Sequence, residues 1–201
     1  MTVPGRVEAA HLLRSLDPPD WLVRHSRAVA EVAAWLAART AARGSDVDRR
    51  LVETAALLHD ADKALRPGDR RRTLGHGTGS AAWLTEQGHP ELASAVATHP
   101  VTRLADGEWF ETWLATARPE DQIVAYADKR AGQRIVSLDA RFGSWRRRYP
   151  RSGWDAAVLD AIRERAGRLE ASVCAAAGVE PPDVRRLAWT AAAFDSADRG
   201  R

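Results

Sequence analysis

An all-α fold is predicted by three features of this 201-residue sequence. Alternating runs of β-branched residues are missing, so no segment reads as a half-buried strand. Strong helix formers dominate, with 39 Ala and 28 Arg alongside many Leu. Helix start and stop signals punctuate the chain from Pro18 to Pro182. Hydrophobic residues make up 45% of the sequence, enough for a real core, and 28% charged residues keep its surface polar.

Taken in order, Pro18-Pro19-Asp20 starts a first helix of about six turns that stops at Gly44. Its Leu22, Val29, Val32 and Leu36 recur at spacings of 7, 3 and 4, the buried stripe of an amphipathic helix. Ser45-Asp46-Val47-Asp48 resembles a capping box and opens a second helix running to about Ala61. A loop rich in Arg, Gly and Pro follows from Arg66 to Gly75. Further helices run from about Gly77 to Gly88 and from Pro90 to His99, where Pro100 ends the second. Residues 101–118 carry Trp109, Phe110 and Trp113, and read as either a lid with an aromatic platform or a packed amphipathic helix. Pro119 opens the helix bearing Asp128, and Ser137 opens one closed by Pro150. Ser152–Gly178 is a long amphipathic helix, and Pro181-Pro182 precedes a last one. Residues 1–150 are thus expected to form one domain. The helices of 151–194 either pack on it or form a homodimer contact, and 195–201 form a disordered tail.

Composition excludes several function classes. No apolar run approaches the ~20 residues needed to cross a bilayer, so no membrane partner is expected. Met1 to Arg6 lack an apolar stretch behind them, so no secretory signal is read and the protein is expected in the cytoplasm. A single cysteine, Cys174, cannot form an internal disulfide or a thiolate zinc site. The net charge of +3 reflects an Arg-rich composition, and nucleic acid is not expected as a partner on that ground. Only Lys63 and Lys129 are lysine, and each lies within three residues of an aspartate.

Those aspartates belong to a set of polar residues inside apolar stripes. His25 fills the gap between Leu22 and Val29. Leu92, Val96 and His99 fall at i, i+4 and i+7, and Asp128 stands one turn after Val124. His59 and Asp60 follow the apolar run Ala55-Ala56-Leu57-Leu58. A lone histidine on such a face is more often a hydrogen-bonded core residue than a ligand. A buried aspartate, however, costs several kcal/mol unless it is paired or holds a metal. One divalent ion would satisfy all of these groups together.

His25, the pair His59-Asp60 and the distal Asp128 resemble the H…HD…D signature of the HD-domain superfamily of metal-dependent phosphohydrolases, in its order and helical context over roughly residues 20–145. His76 and His99 resemble the two extra histidines of the HDIG-type and dinuclear members. The chain departs from that pattern with Ala61-Asp62 where Ile-Gly would follow, and no HTSG-like motif comes after His99. The second departure counts against the symmetrical dinucleoside-tetraphosphate hydrolases. The HDxxK and AD…R motifs of that branch are nevertheless matched by His59–Lys63 and Asp128–Arg134.

The resemblance implies an HD-like helical bundle with a C-terminal helical extension. It implies a first metal on His25, His59, Asp60 and Asp128, and, where a second is bound, Asp60 as bridge with His76 and His99 completing its shell. Imidazoles and carboxylates without thiolates suit Fe, Mn, Co, Ni or Zn, and magnesium less well. The implied reaction is hydrolysis of a nucleotide or other small phosphorylated substrate by metal-activated water. Lys63, three residues past Asp60, and Arg134, six past Asp128, are the candidate phosphate-facing cations; the competing readings are a solvated lysine and a helix-anchoring arginine. Lys129 reads as structural or surface, and His11 and His89 as surface residues. The glycines flanking His76 permit close backbone approach to a ligand; its rival reading is a helix N-cap. Arg66, Arg70, Arg71 and Arg72 form either a polyphosphate clamp or a solvated charge run. Two further function classes stay open: a di-iron oxygenase on the same six ligands, and a non-catalytic nucleotide- or nucleic-acid-binding module with a structural metal.

Overall fold

A computed structural model describes residues 3–148 and 155–184. Nine α-helices occur among these residues: α1 (Arg6–Arg14), α2 (Asp20–Ala42), α3 (Arg49–Leu58), α4 (Thr78–Glu86), α5 (Ala93–Thr98), α6 (Gly107–Thr116), α7 (Pro119–Lys129), α8 (Leu138–Arg148) and α9 (Ala156–Ala177). The described residues contain no strand, only an isolated bridge between Ala131 and Ile135. None of their helices is long and apolar enough to cross a membrane. The all-α prediction therefore holds. The predicted Ser152 start, the Pro150 stop, the last helix beyond Pro182 and the 195–201 tail lie outside the described residues.

The local chemistry explains most boundaries. Asp48, the last residue of the expected capping box, is itself the N-cap of α3, its side chain accepting from Leu51 N at 2.9 Å. The α3 helix stops at Leu58, three residues earlier than predicted. There the His59 ring donates to Ala56 O at 2.8 Å and takes up a carbonyl that a continuing helix would have used. A 3-10 turn, Ala61–Ala64, follows. Pro90 opens a 3-10 turn, Pro90–Leu92, and α5 proper begins at Ala93. At its far end α9 closes on Gly178, which adopts φ +64°; a Cβ there would also sit 2.7 Å from the Arg43 guanidinium.

Helix α1 is absent from the sequence prediction. The elements read from the sequence begin at Pro18, yet Ala9 and Leu13, one turn apart, are fully buried where α1 packs on α3. The centre of the bundle is α7, which packs against α2, α3, α5 and α9. Its Ile123, Val124, Tyr126 and Ala127 are all buried. A polar clamp ties it to α9: Tyr126 Oη donates to Glu170 at 2.6 Å, and Arg130 reaches Glu170 and Pro181 O, each at 3.1 Å. The α9 helix also packs on α2 and α8. In α6, Phe110 and Trp113 are buried and Arg168 of α9 pairs with Glu111. That is the packed amphipathic alternative for residues 101–118 rather than the lid.

Candidate metal centre

Five backbone segments bring six side chains to one point. His25 comes from the first half of α2, His59 and Asp60 from the end of α3, His99 from the end of α5, and Asp128 from the last turn of α7. His76 comes from the segment just before α4. All except His76 are buried. His59 Nε2 lies 3.2 Å from His25 Nε2, and His99 Nε2 lies 3.3 Å from His76 Nε2.

The orientation of each ring follows from its outer nitrogen. A carbonyl oxygen only accepts, so the nitrogen facing it must carry hydrogen. His25 Nδ1 donates to Gly132 O at 2.8 Å, His59 Nδ1 to Ala56 O at 2.8 Å, and His99 Nδ1 to Val96 O at 2.6 Å. His76 Nδ1 instead faces the Asp62 carboxylate at 2.9 Å. All four Nε2 atoms are thereby turned inward.

Asp60 stands between two histidine pairs. Its Oδ2 lies 3.3 Å from His25 Nε2 and 3.5 Å from His59 Nε2. Its Oδ1 lies 3.3 Å from His76 Nε2 and 3.5 Å from His99 Nε2, yet accepts no hydrogen bond although buried. Asp128 Oδ1 closes the first group, 3.3 Å from His25 Nε2 and 3.8 Å from His59 Nε2. Among the described residues, the sets His25–His59–Asp128, His59–Asp60–His99 and Asp60–Asp62–His76 each place donor atoms within 4.8 Å of one another. Acceptor lone pairs at such separations repel unless a proton or a cation lies between them. Hard oxygens and borderline nitrogens without thiolate suit a divalent transition metal, so the residues present fit such an ion.

Electrostatics keeps the donors in the ligating form. Burial alone would raise the pKa of Asp60, but the surrounding histidines and the Lys63 ammonium hold it well below the usual carboxylate range. Asp128 behaves alike, with the His25 hydrogen bond and the charges of Lys129 and Arg141 overcoming burial. Burial pushes His59 down to about 3 and also lowers His99. His25 is the exception: burial disfavours its proton, but hydrogen bonds to Asp128 and Asp60 prevail and push it up to about 9.

Lys63 Nζ donates to Asp60 Oδ2 at 2.6 Å while its side chain remains 37% exposed, so it is both paired with the centre and open to solvent. Arg134 is exposed and lines a cleft of about 300 Å³ with Arg24, Arg27, Glu31 and Gln133; no contact joins it to the six residues. The loop it belongs to folds back on itself, Val136 N bonding Arg130 O at 2.7 Å, and so presents Gly132 O to His25. Lys129 is fully buried, donating to His99 O at 2.7 Å and Ala125 O at 2.9 Å, a structural role. The Arg run folds onto α4: Arg70 and Arg71 pair with Glu86, and Arg72 donates to Leu65 O at 3.2 Å. In these contacts Arg70, Arg71 and Arg72 act as a surface staple. His11 is exposed as expected, whereas His89 is partly buried beside Glu91.

The glycines around His76 serve packing. Gly77 takes φ +79°, and a Cβ there would lie 2.6 Å from Pro100, just past His99. That close approach sets His76 beside His99, and the N-cap of α4 is Gly77 rather than His76. Two residues escaped sequence reasoning. Arg141 of α8 lies 3.7 Å from Asp128 Oδ1, its guanidinium 4.7 Å over the Trp145 ring and its buried Nε unpartnered. Asp62 holds His76 from behind. For Arg141 the available signal was the amphipathic pattern of α8; for Asp62 it was a carboxylate in place of the family's small residue.

No solved structure gives a significant match to the chain. The family model of the HD domain matches residues 22–132, a span containing all six converging side chains, and so the chain belongs to the HD-domain family.

Proposed function

We propose that this protein is a metal-dependent phosphohydrolase that cleaves a nucleotide or another small phosphoester or phosphoanhydride with water. The observation that carries the reading is Asp60: one oxygen faces His25 and His59, and the other, buried and without a hydrogen bond, faces His76 and His99. A carboxylate left with an unsatisfied buried oxygen is costly, and a bridging position between two cations removes that cost. His25, His59, Asp60 and Asp128 would hold one ion, and Asp60, His76 and His99 a second. Ions bound there supply Lewis acidity toward water and toward a phosphoryl oxygen.

The protein's own groups then do the rest. Asp60 and Asp128 stay ionised, so the centre keeps its negative donors at neutral pH. Lys63 beside Asp60 and Arg141 beside Asp128 supply N–H donors for the non-bridging oxygens of a phosphoryl group. His76, at 36% exposure, marks the side open to solvent and substrate. Arg134, with Arg24 and Arg27 in the neighbouring cleft, is assigned to gathering an anionic substrate rather than to the reacting phosphorus.

Elemental analysis of protein purified without chelator identifies the metal, and a screen of nucleotides and phosphodiesters with that metal tests the reaction. Phosphate or nucleoside monophosphate release that stops on chelation is expected. Substrate oxidation by iron-loaded protein in air, without phosphate release, would point to the di-iron oxygenase instead.

A further inference from the structure

Three of the four histidines in the centre are oriented by the backbone, and one is not. His59 and His99 donate to Ala56 O and Val96 O of helices α3 and α5, and His25 donates to Gly132 O of the folded-back loop after α7, all of them backbone atoms. His76 is held only by a side chain, Asp62, at 2.9 Å, and is also the most exposed of the four. Without that contact its ring could turn to solvent, whereas the other three could not.

Asp62 is itself built into place. It is 8% exposed, a burial that costs an ionised carboxylate several kcal/mol unless it is satisfied. Both oxygens are satisfied: Ser80 Oγ donates to Oδ1 at 2.8 Å, and the His76 ring faces Oδ2. The Asp62 backbone N–H returns a bond to Ser80 Oγ, also at 2.8 Å. Gly79 makes the approach feasible, because a Cβ there would lie 3.2 Å from Asp62 Cβ and 2.5 Å from Arg71 O. The 3-10 turn at Ala61–Ala64 and the first turn of α4 are thus joined through Asp62, and the product of that junction is an aimed imidazole.

We propose that Asp62 is the positioning residue of the second metal site: acting through His76, it decides whether the centre retains one ion or two. The proposal rests on the two-ion reading given above. A carboxylate behind a ligating histidine fixes the ring's tautomer and orientation and raises the basicity of its other nitrogen, an effect of about 10–100-fold in metal affinity. Asp62 and Ser80 therefore act selectively on the half of the centre formed by His76 and His99. The other half has no side chain in an equivalent place among the contacts described for His25 and His59.

The test is a calorimetric titration of the full chain with Mn²⁺ alone, paired with paramagnetic resonance of the loaded protein. The parent should bind two ions in separable steps and give the signal of a spin-coupled pair. Asp62→Asn keeps size and the Ser80 contact but removes charge, and should weaken only the second step, by about 10-fold or more. Asp62→Ala should match His76→Ala, with one ion bound and no pair signal, while Ser80→Ala falls between parent and Asp62→Asn. Parental affinity in both steps for Asp62→Ala would overturn the proposal. So would equal weakening of both steps together with a lower melting temperature of the metal-free variant, the mark of a plain structural staple. A single step in the parent itself would overturn the two-ion reading and the proposal with it, and is distinguishable because it needs no variant.

Discussion

Loading the first metal site should expel one proton. Metal-free, the centre holds its charge balance with a proton on His25, whose pKa lies at about 9 because of Asp128 and Asp60. His59 at about 3, His99 lowered from its ordinary value by burial, and the ionised Asp60 and Asp128 bring no proton of their own at neutral pH. With His25 Nδ1 committed to Gly132 O, that proton sits on Nε2, the atom an ion needs. The sign follows directly: the metal-free state binds one proton more, so acid favours it and alkali favours the loaded state. Between pH 6 and 8 the apparent association constant should rise about tenfold per pH unit, about 1.4 kcal/mol each, and flatten near pH 9. The His76→Ala, His99→Ala double variant retains only this half of the centre and is the protein of choice. Titration with Zn²⁺ or Mn²⁺ in two buffers of different ionisation enthalpy reads the proton count directly. Affinity independent of pH, with no proton released, would refute the assignment of His25 Nε2 as a ligand atom.

Three other outcomes follow from the same geometry. Asp60→Ala should lose essentially all bound metal and hydrolysis while circular dichroism stays helical, since it removes a donor from both halves; parental metal content by elemental analysis would contradict this. The His76→Ala, His99→Ala variant should bind about one ion where the parent binds about two, and equal content in the two proteins would make these histidines substrate-facing. Arg141→Ala should lower kcat/KM by about 100-fold with metal content unchanged, whereas Arg134→Ala should act mainly on KM and its salt dependence; the reverse ranking would restore Arg134 as the phosphate-facing arginine.

How far the sequence exposes such a site depends on whether its geometry is local. Helical periodicity put His25, His99 and Asp128 on buried stripes, and each is buried where that register requires. The dipeptide His59-Asp60 was legible because it closes an apolar run. Positions that depend on a chain reversal were not. Arg141 reaches Asp128 only because residues 130–136 fold back through the Arg130–Val136 bond, a turn with no strong sequence signal. Arg134 falls at the expected distance along the chain but on the exposed side of that same turn. Helix α1 was not legible because the burial of Ala9 and Leu13 depends on their contact with α3.

Lys129 shows how neighbours in sequence take different roles in space. Successive helical residues point about 100° apart, so the Lys129 ammonium comes only to 3.8 Å from Asp128 Oδ2 and makes its hydrogen bonds elsewhere. Burial drives its amine down to about 8, and the ammonium is satisfied by two carbonyls, one of them belonging to His99. The helix that delivers Asp128 to one half of the centre thus also grips the residue that delivers an imidazole to the other. Asp60 joins the two halves through its oxygens, and Lys129 joins them through the backbone behind them. A change at either joint should be felt on both sides of the centre, whereas a change at Asp62 should be felt on one.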